Sequence, residues 1–205
     1  MLRQSAEQLA WMAAQRAYTL WQEKKFRQLV SFDHLDRTEQ DRIFNELEVT
    51  VLGALDLFFE WQATRVTDKN DHDTFIFIKD EIPEQFVQIL KKQGVANTYV
   101  KIWHQLISLR LNEYRDNFKD AHMMTANWKQ FKHSPAILKP VWTRVQTLAI
   151  SSWQHIRRGK NEEGDPLWPI LRDWLVDIYA ELMALMDAFV LETEKRHQRQ
   201  KKIIN

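Results

Sequence analysis

Asp56 and Glu60 stand four residues apart within an apolar run that includes Leu55, Leu57, Phe58, Phe59 and Trp61. On a helix this spacing stacks two carboxylates one turn apart, and apolar surroundings would raise the pKa of one of them toward the range useful for acid–base chemistry. His104 is the third residue such an enzyme could use. Carboxylate pairs outside a motif are ordinary on helices, however. The reading adopted is the simpler one: both face solvent, or meet an arginine of a neighbouring helix such as Arg110.

Other constellations fail on spacing. Asp68, Asn70 and His72 alternate like the first ligands of a calcium loop, but the sixth and twelfth places hold Asp73 and Lys79 where glycine and a bidentate glutamate belong. Seven histidines are scattered, and Glu194 with His197 is a single Glu-x-x-His where a carboxylate-bridged dimetal centre needs two. Gly53, Gly94, Gly159 and Gly164 are too dispersed to cradle a phosphate, and Ser151-Ser152 lacks the strained G-x-S-x-G turn of a nucleophile. The corner Arg157-Arg158-Gly159-Lys160 fits a helix C-terminus, where cations complement the dipole. No cofactor or metal is expected, and without cysteine there is no disulfide, thiolate nucleophile or cysteine-ligated metal.

The elements that must position these residues are helices. Only four glycines and five prolines interrupt 205 residues, and apolar side chains recur at spacings of three and four. Ser5 with Gln8 has the form of a capping box and opens a first helix reaching about Val30. Asp36 with Glu39 opens a second, to about Ala63, in which Gly53 costs about 1 kcal/mol in propensity unless another helix approaches closely there. A polar loop from Thr67 to Asp73 follows, and then Thr74-Phe75-Ile76-Phe77-Ile78, whose β-propensity finds no partner strand. A short third helix starts around Pro83 and stops before Gly94, and Asn97 caps a long fourth. A fifth runs from about Pro140 to Arg158, and Asp165-Pro166 caps a sixth. The expected fold is an all-α, single-domain bundle of about six helices with a short irregular connection near residues 67–80. Residues 1–194 form the bundle and 195–205 a basic C-terminal tail.

Nine tryptophans give this bundle large flat faces. Aromatics at helical spacing usually fill a core, and a tryptophan-lined pocket for a small apolar or aromatic ligand is the functional alternative.

Charge is nearly balanced, at +1 overall, but unevenly placed. Lys195, Arg196, Arg199, Lys201 and Lys202 give the tail +5 without an acid, while 24 basic and 28 acidic residues leave 1–194 at −4. Such a tail could hold a weak anionic partner, and it also suits a helix C-terminus. Without a helix-turn-helix signature or zipper heptads, sequence-specific DNA binding is not expected. The most apolar stretch, Trp168 to Leu191, is interrupted by Arg172, Asp173, Asp177, Glu181 and Asp187, so no membrane span is expected either. With no cysteine and no long apolar run near Met1, a cytoplasmic protein is the default expectation.

The sixth helix is the strongest candidate for contact with a partner. Leu171, Leu175, Ile178, Leu182, Leu185 and Phe189 form its inward face, yet Val176, Ala180, Met183 and Leu191 carry apolar character well around it. A helix so widely apolar is central or is covered by another chain. The sequence therefore reads as a non-enzymatic helical bundle that binds protein partners and self-associates, with Val176, Ala180, Met183, Leu191 and the tail cations as the contact residues. A small-ligand binder and a helical enzyme using the carboxylates are the alternatives.

Overall fold

A computed structural model describes the backbone of residues 2–125 and 138–204, and the side chains of 2–123 and 139–188. The helices are α1 (Leu2–Gln22), α2 (Lys24–Leu29), α3 (Arg37–Arg65), α4 (Lys69–Lys92), α5 (Asn97–Thr125), α6 (Leu138–Ile156) and α7 (Leu167–Ile204), with one 3₁₀ turn at Phe32–His34. The fold is all-α, as the periodicity requires, and the described residues contain no strand.

α3 is the axis around which the others are laid, in contact with α1, α4, α5, α6 and α7. Its residues from Glu46 to Phe59 are buried without a break, so its faces cannot be divided into an inner and an outer one. Asp36 caps it as the sequence predicts, accepting from the Glu39 N–H at 2.8 Å. At Gly53 side chains of α5 and α6 approach closely: a Cβ there would lie 2.8 Å from Cε2 of Tyr114, closer still to its Cδ2, and 3.1 Å from Leu148.

Two expectations about boundaries are corrected. The first helix begins at Leu2, not at Ser5, and does not reach Val30. It breaks at Glu23, whose backbone is extended. Ala6, Ala10, Ala13, Ala17 and Leu20 are buried along α1, and an unbroken helix would next turn Lys24 and Arg27 inward. The break rephases the chain so that Phe26 and Val30 enter the core instead.

The irregular connection expected near residues 67–80 is shorter than its sequence suggests. Only residues 66–68 separate α3 from α4. Asp68 accepts from the N–H groups of Asn70 (2.8 Å) and Asp71 (3.1 Å), which makes the acidic stretch a helix start, with carboxylates at the positive end of the dipole. Phe75, Ile78, Ile82, Phe86 and Ile89 then fall at spacings of three and four and are buried, so core burial overrides the β-propensity of 74–78. Pro83 consequently lies inside α4, not at its start. At the far end Gly94, at φ 90°, closes α4, with Val95 N–H donating to Leu90 C=O at 3.0 Å.

Candidate functional site

The described residues present two places to look for function: a polar cleft between α4 and α5, and the exposed face of α7. The cleft encloses about 280 Å³, with Asp56 of α3 at its base and Lys79, Glu84, His104, Ser108 and Arg115 among its walls. Pro83 also lines it, and because proline has no N–H, the Lys79 carbonyl lacks its usual helical donor. Asp56 and His104, two of the acid–base candidates, are thus brought to one cleft.

Asp56 is nevertheless occupied. Its two oxygens accept from Nε and a terminal nitrogen of Arg115 at 2.8 and 2.6 Å, a fork that engages both of them. Burial raises its pKa, opposed mainly by the hydrogen bonds from Arg115. Glu60 turns elsewhere, 3.6 Å from Lys79, and His104 stands 3.6 Å from Glu84. The carboxylate pair does not converge on a common point. The arginine partner is Arg115, while Arg110 meets Glu46 at 2.7 and 3.0 Å, so the expectation of an interhelical ion pair holds with a different residue. This geometry clamps α5 to α3.

The same clamping recurs on the α6 side. Asp165 accepts from Arg157 at 2.7 and 2.9 Å, from the Trp153 indole at 2.8 Å and from the Leu167 N–H at 2.9 Å. These donors, Arg157 foremost, hold its carboxyl well below the usual range, and they tie the end of α6 to the start of α7. Arg42 donates to the carbonyls of His155 (2.8 Å) and Ile156 (2.9 Å), closing the last turn of α6. Arg144 is buried without a carboxylate ion pair among the described residues: Nε donates to the Leu57 carbonyl and Nη1 to that of Pro140, each at 3.0 Å, and its guanidinium lies 4.3 Å from the Phe118 ring centre.

The tryptophans differ in their surroundings. Trp61 and Trp103 are buried, Trp11 is exposed, and Trp128 lies outside the described residues. Neither the α4–α5 cleft nor either of two further cavities, around Gly164 and around Arg110, has a tryptophan in its wall. Among the described residues no group of three His, Asp or Glu could hold a metal ion.

α7 is where polarity and exposure disagree. Its inward register buries Leu167, Leu171, Leu175, Ile178 and Leu182, but Leu185, next in that register, is 50% exposed. After Leu182 no described side chain of α7 is buried. Val176 and Ala180 are exposed, and so are Ala184 and Ala188, whereas Met183 is half-buried against the core. Leu191, Lys195, Arg196, Arg199, Lys201 and Lys202 have side chains outside the described residues, although the helix itself continues to Ile204. No described helix is long and apolar enough to cross a membrane.

Sequence reasoning missed a second exposed set. Tyr99, Ile102 and Leu109 of α5 are 62%, 55% and 61% exposed, outside the buried stripe of Trp103, Ile107, Leu111 and Tyr114. The signal was present as a second apolar register, Tyr99, Ile102, Leu106 and Leu109, masked by the stronger one.

No protein-family model matches the chain, and comparisons with curated proteins and with solved structures give no match either.

Proposed function

We propose that this protein is a non-enzymatic interaction module that binds a protein partner and self-associates through the exposed face of α7. The observation that carries this reading is the abrupt change of exposure along one helical register, from buried Leu182 (1%) to Leu185 (50%) within a single turn. From Met183 to Leu191 eight of nine residues are apolar, with Asp187 the exception, and a helix apolar on nearly every side is stable in water when something covers it.

The cleft supports the enzyme alternative less well, because Asp56 is held through both oxygens by Arg115 and Glu60 meets Lys79, each carboxylate having its own cation. The tail cations and the mildly acidic body bias the choice of partner rather than supplying contact area.

Light scattering coupled to size exclusion tests the proposal. At high micromolar concentration the full chain is expected as a dimer or larger, and Leu185→Glu is expected to shift it toward monomer with an unchanged helical circular-dichroism spectrum. A wild-type protein that is monomeric throughout, and that captures no protein partner, would remove the proposal.

A further inference from the structure

α7 can be read as a self-complementary face. Asp173, Asp177, Ala180, Ala184, Ala188, Leu191, Lys195, Arg199 and Lys202 follow one another at spacings of four and three that repeat every eleven residues. Eleven residues make three turns at about 3.67 residues each, so these positions form a nearly straight line along one side of the helix. All five of its positions with described side chains, Asp173 to Ala188, are exposed. The line is acidic at its start, small and apolar in its middle and basic at its end, a sequence that matches its own reverse with charges opposed except where Ala180 faces Lys195.

We infer that the occupant of this face is α7 of a second copy, running antiparallel about a two-fold axis near Ala188. This rests on the self-association proposed above and adds its geometry. Antiparallel alignment sets Asp173 opposite Lys202, Asp177 opposite Arg199 and Ala184 opposite Leu191 of the other copy, with Ala188 beside its own counterpart. Parallel alignment would set acid on acid and base on base along the same line, which disfavours it by like-charge repulsion. Alanine in the middle lets the two helix axes approach toward the short end of the usual 8–10 Å range. The paired span from Asp173 to Lys202 covers thirty residues, about 45 Å of helix. Asp173 also meets Arg172 of its own chain at 2.7 Å, a mostly exposed contact that leaves the carboxylate open to a second cation. Under a two-fold axis every contact occurs twice, so each charge pair contributes to assembly in duplicate. The tail then works as an intermolecular clamp.

Charge reversal and cross-linking test this on the full chain. Asp173→Lys with Asp177→Lys is expected to weaken dimerisation by about tenfold or more, as is Arg199→Asp with Lys202→Asp, and the four changes together are expected to return it to within about threefold of wild type. Because the chain has no cysteine, single introduced cysteines give an unobstructed readout. Ala188→Cys is expected to oxidise to a covalent dimer by itself, whereas Asp177→Cys and Arg199→Cys are expected to cross-link only when mixed. Efficient self-cross-linking of Asp177→Cys, or a dimer whose affinity ignores both reversals, would overturn the antiparallel arrangement while leaving self-association standing. A monomeric wild type would overturn both. Retention of the wild type on phosphatidylserine vesicles at low salt, lost in Arg199→Asp with Lys202→Asp while dimerisation is unaffected, would reassign the tail to a membrane surface and also overturn the inference.

Discussion

Along α3, charged side chains lie inside: Glu46, Glu48 and Asp56 are all buried. Along α7, apolar side chains lie outside, with Val176 and Leu185 both exposed. The two helices depart from the usual partition of residues in opposite directions, and the molecule treats them differently. α3 is surrounded on every side, so two of its carboxylates are met by guanidinium groups from α5, Arg110 for Glu46 and Arg115 for Asp56. α7 loses cover on its inward register after Leu182: Leu185 is half exposed, while Met183 and Met186 stay half-buried against the core. A buried charge must be matched within the fold, whereas an uncovered apolar face can be matched by another molecule.

The largest effect expected from breaking this contrast comes at the ion pair. Arg115→Met strands the Asp56 carboxylate in a site where burial already opposes its charge, and removal of one partner from such a pair costs about 3–5 kcal/mol. Urea denaturation at neutral pH should show that loss. Asp56→Leu combined with Arg115→Met should recover most of it, because no buried charge then lacks a partner. Recovery absent from the double variant would mean that the pair contributes attraction in its own right, beyond cancelling its burial.

Next in size is a comparison within α7 itself. Leu182→Ala empties a fully covered position and is expected to lower stability by about 2–5 kcal/mol. Leu185→Ala, one turn later, should lower the unfolding free energy of dilute protein by less than about 1 kcal/mol, since half of that side chain is already in water. At high concentration the order of the two is expected to narrow, as self-association makes Leu185 count. Equal losses at every concentration would place Leu185 within the bundle and remove the contrast.

How much of this could be read beforehand depends on whether a feature is local. The cap at Asp36 and the end of α6 near Gly159 follow from residues within a few positions of one another, and both were legible. Gly53 was legible as a close approach, because a glycine inside an apolar helical run needs a reason, although Tyr114 as the neighbour was not. The start of α4 was misread because Thr74 to Ile78 satisfies a strand pattern locally, and only the burial of Phe75 and Ile78 against α3 and α1 decides for helix. Arginine choice was also a non-local matter: Arg110 and Arg115 lie on the same helix, and which one meets Asp56 depends on the axial register of α5 against α3. The exposed face of α7 was visible as surplus apolar character, but the point where cover stops, after Leu182, is a property of how far the other helices reach.

The smallest effect separates the third buried carboxylate of α3 from the other two. Glu48 lies about 200° around the helix from Glu46, away from Arg110, and burial alone raises its carboxyl from 4.5 to about 8. The native state therefore holds this proton more tightly than the unfolded chain. Below pH 4.5 both states are protonated and Glu48 carries no penalty. Between 4.5 and about 8 only the unfolded chain ionises, so stability falls as pH rises, by an amount on the order of 3 kcal/mol by neutral pH. Asp56, also raised, adds a contribution of the same sign. Glu39 works in the other direction: hydrogen bonds from Arg42 and then Arg158 lower its carboxyl to about 2, so its stabilisation is present above 4.5 and lost as pH falls toward 2. The thermal midpoint of the wild type should accordingly peak near pH 4.5 to 5. Glu48→Gln should keep the acid limb, which belongs to Glu39 and Asp165, and flatten most of the decline above pH 5, because an amide neither gains nor loses the proton. A decline of undiminished slope in Glu48→Gln would mean that a basic group compensates Glu48 after all, and that α3 treats its three carboxylates alike.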